Sequence, residues 1–307
     1  MKKILAIMPI SIGGRLTTSS IIDGFLQNGF EVVIYDELKN DKFDDFLNDD
    51  YSYIVGYGYS PIKLKFENKL KLKCIAYFSD EINLKTAGIG YLEYFKTLWD
   101  KDIYAFYWDR ELAKKEKLTY MPHFVNLEVY KDFKKPINDV LFMGRFDTPL
   151  RLRMFLELNK KLPEVSFCWY AIEKHFTDAI LRCENELEKE ILKKAYKGFI
   201  DNEIDMANKI NESKIVYNIN AQGISSLNYR SIQTLACKRL LISDVRKELD
   251  LFDNIIPTYK NIDDLAQKIR YYLSATDEYK AIVEKSYDFI LKNHSSKNCI
   301  KKMLELI

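Results

Sequence analysis

The chain has 307 residues, 47% of them hydrophobic and 30% charged, with a formal net charge of +2. That length exceeds what one compact core usually grows to and the composition is globular, so two domains are expected. A charge so close to neutral provides no general field for capturing nucleic acid and points to a small or neutral partner. The five cysteines are scattered and form no C-x-x-C pair, which fits a reducing cytoplasm and argues against a disulfide framework or a zinc ribbon.

The opening "MKKILAIMPISIGG" superficially resembles a signal peptide. Its apolar run is short, Pro9 interrupts it and no small-residue cleavage site follows, so it reads as a first buried strand. A helix is expected near 18–28, then the strand "EVVIYD", a short helix, the strand "YSYIVGYG", a helix near 63–70, and the strands "KCIAYFS" and "IYAFYW". Near-continuous apolar strands alternating with helices indicate a parallel sheet covered on both faces. The segment 117–138 loses this periodicity and carries Pro122 and Pro136. It is the expected linker, dividing residues 1–130 from residues 131–307.

The alternation then restarts. "DVLFMG" is followed by a helix from about 149, then "VSFCWYA", a charged helical region over 172–194, and "AYKGFI" as a further strand. The helix "NEIDMANKINE", the strand "KIVYNIN", a short helix opening at "NYR", the strand "RLLIS" and a run of terminal helices complete the chain. In the last of these Ile300, Met303, Leu304 and Ile307 share one face. No apolar run reaches membrane-spanning length. The fold class expected is α/β, two successive doubly wound Rossmann-like domains with ligand sites outside the carboxyl ends of their strands and a cleft between them.

Three places could carry chemistry. Gly13 and Gly14 follow the first strand, ahead of a helix expected to start near Thr17; they either let backbone N–H groups approach a ligand or simply make a tight turn. There is no G-x-G-x-x-G, which argues against a dehydrogenase. In "FMGRFDTPLRLR", Gly144 ends a strand, Arg145 follows it and Arg151 lies on the first turns of the next helix, a pair able to hold a diphosphate through charge-assisted hydrogen bonds. In "SLNYRSIQTLACKRLLISD", Arg230, Gln233 and Thr234 share a helical face, so an arginine and free amides sit at a helix N-terminus suited to phosphate. A capped surface helix is the plainer alternative.

The run from Arg230 to Asp244, with Leu235-Ala236, Leu251-Phe252, Asp264-Leu265, Lys268-Ile269, Tyr271-Tyr272-Leu273 and His294, resembles the C-terminal part of group 1 glycosyltransferases, closest to the CgeB-like branch. "DVLFMGRF" and "KGFIDNEIDMANKINESKIVYNI" fit earlier segments of the same family, so the likeness spans about 139–295. It implies a GT-B fold, a nucleotide-sugar donor bound mainly by the second domain, and an acceptor in the first. By that likeness Gly144 and Arg145 border the diphosphate, Gly198, Phe199 and Ile200 meet the base, and Asn228, Tyr229, Arg230 and Gln233 line the pyrophosphate and its ribose or sugar. Three positions depart from the pattern: Gln233 stands where the family has glutamate, Lys238 where it has glycine, and Ser225 where one branch has a second glutamate.

The candidate acid or base residues are Asp80 or Glu81, before Asp109 and His123, placed by strand ends of the first domain. Asp100-Lys101-Asp102 is a D-x-D triplet, but it precedes its apolar run and so falls at the wrong end of the strand for a metal site. The expectation is a metal-independent glycosyltransferase without a resident cofactor, located in the cytoplasm. Its acceptor is a glycan, a glycolipid or a protein, as in cell-surface glycan biosynthesis. The lysines of "KLKFENKLKLK" leave open a peripheral contact with the inner face of the membrane. The competing readings are a non-catalytic binder of nucleotide-sugar or glycan on the same scaffold, and a sugar-nucleotide epimerase.

Overall fold

In a computed structural model, residues 1–39, 42–47, 49–79, 102–146, 148–220 and 224–307 are described. The apolar runs of the first half form β1 (Lys3–Met8), β2 (Glu31–Asp36), β3 (Tyr53–Tyr57), β4 (Lys73–Phe78) and β5 (Ile103–Tyr107), followed by a two-residue β6 (Thr119–Tyr120). They pair in parallel in the order β2-β1-β3-β4-β5-β6. Ile4, Leu5, Ile7, Ile54, Val55 and Ile75 are all buried, as strands covered on both faces require. The helices are α1 (Ile12–Gln27), α2 (Ser60–Glu67) and α3 (Arg110–Glu116).

The second half supplies β7 (Asn138–Met143), β8 (Phe167–Tyr170), β9 (Ser213–Asn218), β10 (Leu240–Asp244) and β11 (Thr258–Tyr259), again all parallel, in the order β11-β10-β9-β7-β8. Between and after them lie α4 (Pro149–Lys161), α5 (Glu173–Leu181), α6 (Glu186–Ala195), α7 (Glu203–Asn211), α8 (Tyr229–Ala236), α9 (Ile262–Ser274), α10 (Thr276–Asn293) and α11 (Ser296–Glu305). The two sheets are wound alike. In each, the second strand lies on one side of the first and the third on the other. The winding therefore reverses between β1 and β3, and again between β7 and β9. Connections leave such a point in opposite directions and open a crevice at the strands' carboxyl ends.

Two expected elements differ. α1 begins at Ile12 rather than near Thr17, because Ser11 caps it by accepting from Gly14 N–H at 3.3 Å. Gly13 and Gly14 thus belong to the first helical turn, not to a loop before it. "AYKGFI" is not a strand: Tyr196 forms only an isolated bridge to Trp169, and the chain turns at Gly198 with φ +98°.

The chain separates into two compact units, one of Met1–Leu127, Gln222–Asn228 and Lys292–Ile307, the other of Glu128–Ala221 and Tyr229–Leu291. The sequence suggested one division at 130/131; the first unit also takes the segment ahead of α8 and the last helix. α11 packs on α1 so closely that a Cβ at Gly24 would lie 2.3 Å from Ile300 Cγ1 and 2.6 Å from Ser296 O. Val125 holds the approach to α11, donating to His294 O at 2.9 Å and accepting from Ser296 N–H at 3.0 Å. Among the described residues no helix is long and apolar enough to cross a membrane.

Candidate functional site

β7 brings the chain to the reversal point of the second sheet, where it turns at Gly144 with φ +135°. Only glycine takes that conformation without strain. The turn is fixed by Gly144 N–H donating to Tyr170 O at 3.1 Å and by Trp169 Nε1 donating to Gly144 O at 2.9 Å. A Cβ on Gly144 would lie 3.4 Å from both terminal nitrogens of Arg230, ordinary contact distance, so the guanidinium lies directly against this turn.

Arg230 stands on the first turn of α8. That helix is tied to the end of β9, because Asn218 Nδ2 donates to Ser231 Oγ at 3.1 Å, and it buries Ile232, Leu235 and Ala236. The guanidinium thereby reaches from the β9 side of the crevice to the end of β7. Burial first, and then the positive charge of Arg151, hold its pKa down at about 10; no carboxylate among the described residues contributes to that shift. A guanidinium at that pKa is still charged at neutral pH, and a charge so placed gains from an anion.

Arg151, on the first turn of α4, is buried and serves the crevice differently from the expectation. Its Nη1 donates to Arg145 O at 3.2 Å and its Nη2 to Ile219 O, carbonyls that follow β7 and β9 respectively. It clasps the two lips of the reversal point, and its charge adds to the positive field. Arg145 is exposed beside Gly144. Gln233 lies one turn deeper than Arg230, is 2% exposed, and its Nε2 donates to Tyr130 Oη at 2.6 Å. Its amide thus serves the core beneath the helix.

Asn228 and Tyr229 are partly exposed at the start of α8. In the turn after α6, Gly198 O accepts from Ala171 N–H at 3.0 Å, Ile200 is buried, and the Phe199 ring is 48% exposed. In the first unit, Gly14 sits at the other reversal point. A Cβ there would come within 2.7 Å of Tyr57 Cδ1 and 2.8 Å of Pro9 Cγ, so this glycine is required by packing. Gly13 is exposed and would meet nothing within 4 Å.

Asp80 and Glu81 lie outside the described residues, as do Asp100 and Lys101; Asp102 directly precedes β5, at the amino edge of its sheet. Asp109 is 0% exposed and saturated with backbone and hydroxyl donors. His123 is buried and stacks on Trp108 with ring centroids 4.8 Å apart, while its Nδ1 faces Tyr77 Oη at 3.2 Å. Burial pushes its pKa down to about 3, so it is neutral at pH 7. Neither has the exposure of a group that meets an acceptor. Among the described residues no cluster of three or more His, Cys, Asp or Glu could hold a metal ion.

The sequence reading missed the asparagine of β9, whose only signal was a polar residue closing the apolar run "KIVYN". It also missed Arg15 and Asp36, a bidentate pair at 2.7 and 2.8 Å that joins the start of α1 to the end of β2. Arg15 holds the Asp36 pKa down at about 2.

Residues 151–305 match a family described as glycosyl transferase-like. No curated protein matches the chain. Its fold is similar to that of a sucrose-phosphate synthase from Thermosynechococcus elongatus, with 10% identity and a TM-score of 0.72 over 100% of this chain and 98% of that one. It is also similar to a glycosyltransferase from Rickettsia africae (17% identity, TM-score 0.70, 99% and 97% covered). A third likeness is to an α-glucosyltransferase solved with UDP (15% identity, TM-score 0.72, 100% and 99% covered). Likeness at these identities speaks for the fold, which is GT-B. With the matched region extending over half of its length, the chain belongs to the glycosyl transferase-like family.

Proposed function

We propose that the protein transfers a sugar from a nucleotide-sugar donor to an acceptor hydroxyl, with the donor diphosphate at the reversal point between β7 and β9. The observation that carries this is Arg230, a half-buried positive charge laid against Gly144, beside a second arginine and at a helix N-terminus. The α-glucosyltransferase of similar fold holds UDP. In the reaction the bond from the anomeric carbon to the diphosphate oxygen breaks and a bond to the acceptor oxygen forms. Charge builds on the leaving diphosphate, and in this reading Arg230, Arg145, the field of Arg151 and the α8 amides stabilise it. Because these groups supply the positive charge, we propose a metal-independent step, checked by turnover in the presence of a chelator. Phe199 is the side chain we propose for stacking on the base.

Asp80 or Glu81 is proposed as the base for the acceptor, a glycan, a glycolipid or a protein. Asp80→Asn and Glu81→Gln variants, assayed for turnover with donor binding intact, decide between them. The tie to the CgeB-like branch, a cytoplasmic site of action and contact with the inner membrane face through the exposed Lys63, Lys69 and Lys71 belong to the same proposal.

The test is a thermal-shift and calorimetric panel of UDP, GDP, CMP, dTDP and ADP, with and without magnesium, on the wild type and on Arg230→Ala. A ligand of the native state raises the melting temperature by mass action. One nucleotide is expected to shift the wild type, and Arg230→Ala to weaken it at least tenfold, about 1.4 kcal/mol. Unchanged affinity in the variant would remove the core of this reading. Gln233, occupied by Tyr130 where the family has a glutamate, favours one alternative: a non-catalytic binder of nucleotide-sugar. Binding without turnover on any acceptor would select it.

A further inference from the structure

Asp109 stands two residues past the end of β5 and caps α3, its Oδ1 accepting from Glu111 N–H at 3.1 Å and Leu112 N–H at 3.0 Å. That is an ordinary task for an aspartate. The rest of its environment is not needed for it. Oδ2 accepts three consecutive backbone N–H groups, from Ile224 at 2.8 Å, Ser225 at 2.9 Å and Ser226 at 3.1 Å. Ser225 Oγ donates to Oδ1 at 2.9 Å and itself accepts from Glu111 N–H at 3.1 Å, while Ser226 Oγ accepts from Arg110 N–H at 3.1 Å.

Three successive amides converging on one oxygen form an anion nest. The carboxylate is 0% exposed, as are Ser225 and Ser226. Burial works to raise its pKa, and the backbone N–H groups outweigh burial and keep it ionised. The held segment ends in Leu227, 1% exposed, and Asn228; the next residues are Tyr229 and Arg230, the first turn of α8.

We infer that Asp109 is a positioning residue for the start of α8: by fixing residues 224–226 it sets the point in the chain at which the helix, with Arg230 on its first turn, begins. The inference rests on the reading of that helix start as a diphosphate site. It assigns to a residue distant in sequence a role in donor affinity, with no contact to the donor itself.

The experiment compares Asp109→Asn with a control, Gly24→Ala, which loosens the first unit at the α1–α11 contact, away from this segment. Amide hydrogen exchange is followed over 224–236, and UDP and inorganic pyrophosphate are titrated calorimetrically. Asp109→Asn is expected to speed exchange through 224–232 while β7 and β9 stay protected, and to weaken UDP about ten- to a hundredfold, the cost of misplacing a binding group by about an ångström. Gly24→Ala at a matched loss of melting temperature should change neither. If Asp109→Asn does not fold, the double variant Ser225→Ala, Ser226→Ala, which leaves the carboxylate in place, is expected to show the same pattern more weakly. Unchanged exchange at the start of α8, or an equal effect in the control, overturns the inference. A wild type that binds neither UDP nor pyrophosphate overturns the diphosphate reading instead, while the exchange comparison still decides whether Asp109 sets the start of α8.

Discussion

Lys238 closes α8 with φ +53°, and the bonds around it, Lys238 N–H to Leu235 O at 3.1 Å and Arg239 N–H to Thr234 O at 3.2 Å, are those of a Schellman motif. The geometry explains why the resembling family has glycine here, since a left-handed residue with a Cβ costs about 1 kcal/mol. The ammonium offsets part of that through Glu284, at 2.8 and 3.1 Å, and the Tyr287 ring at 4.6 Å. The carboxylate partner is 59% exposed, so solvent screening keeps that pair below about 1 kcal/mol. Lys238→Gly is expected to change unfolding free energy by less than about 1 kcal/mol in a urea titration, and Lys238→Val, β-branched in a left-handed position, to lower it by about 2 kcal/mol. The buried histidines bring a pH dependence of known sign. Burial depresses His123 to about 3 and His294 to about 4, against 6.5 for a free imidazole. Below pH 6.5 the unfolded chain takes up protons that the folded chain refuses. Stability is therefore full above pH 6.5 and falls as pH drops toward 4, by up to about 1.4 kcal/mol per pH unit for each histidine. His294→Gln should remove one proton from that slope in melts between pH 7 and 4.5, and an unchanged slope would assign the acid loss to other groups.

At the scale of elements, α1 and α11 meet through a glycine. Gly24→Ala gains helix propensity but drives a methyl group into Ser296 O, a backbone atom that cannot step aside. The expected net cost is about 1–3 kcal/mol, read from the denaturation midpoint. Most elements were legible because strands buried on both faces spell unbroken apolar runs, as in "ILAIM" and "VLFM". β6 and β11 were not, since two residues carry no period. The start of α1 was hidden because two glycines, poor helix formers, occupy its first turn and the capping Ser11 precedes them. Of the site, Arg230 and Gly144 were legible as types, an arginine at a helix start and a glycine at a strand end. Their contact was not, because sequence spacing says nothing of which helix start meets which strand end. Gln233 shared a face with Arg230 in the sequence pattern, yet its partner Tyr130 lies 103 residues away, and that bond decides its burial. Arg151 was read as a diphosphate ligand from its position, and only the carbonyls of Arg145 and Ile219 reveal the clasp.

For the whole molecule, the division of the chain matters more than the order of its strands. The first unit holds Met1–Leu127 and also Lys292–Ile307. Ile300, Met303 and Cys299 are buried in the same core as Ile21 and Phe25. A chain ending at residue 291 should leave that apolar face of α1 bare. It is expected to lose the cooperative melting of the first unit and to bind an apolar dye, while the second sheet keeps its hydrogen-exchange protection. If the shortened chain melts like the wild type, α11 contributes little to the first core. The order of synthesis follows from this arrangement. The first of the two sheets is finished by residues made after the whole of the second unit, so its core stays incomplete until residues 292–307 are synthesised. The second unit, whose last helix ends just before that closing piece, has all its parts in hand earlier. The unit begun first is thus completed after the second, and a polypeptide that stalls before residue 292 holds every residue of the second unit but not of the first.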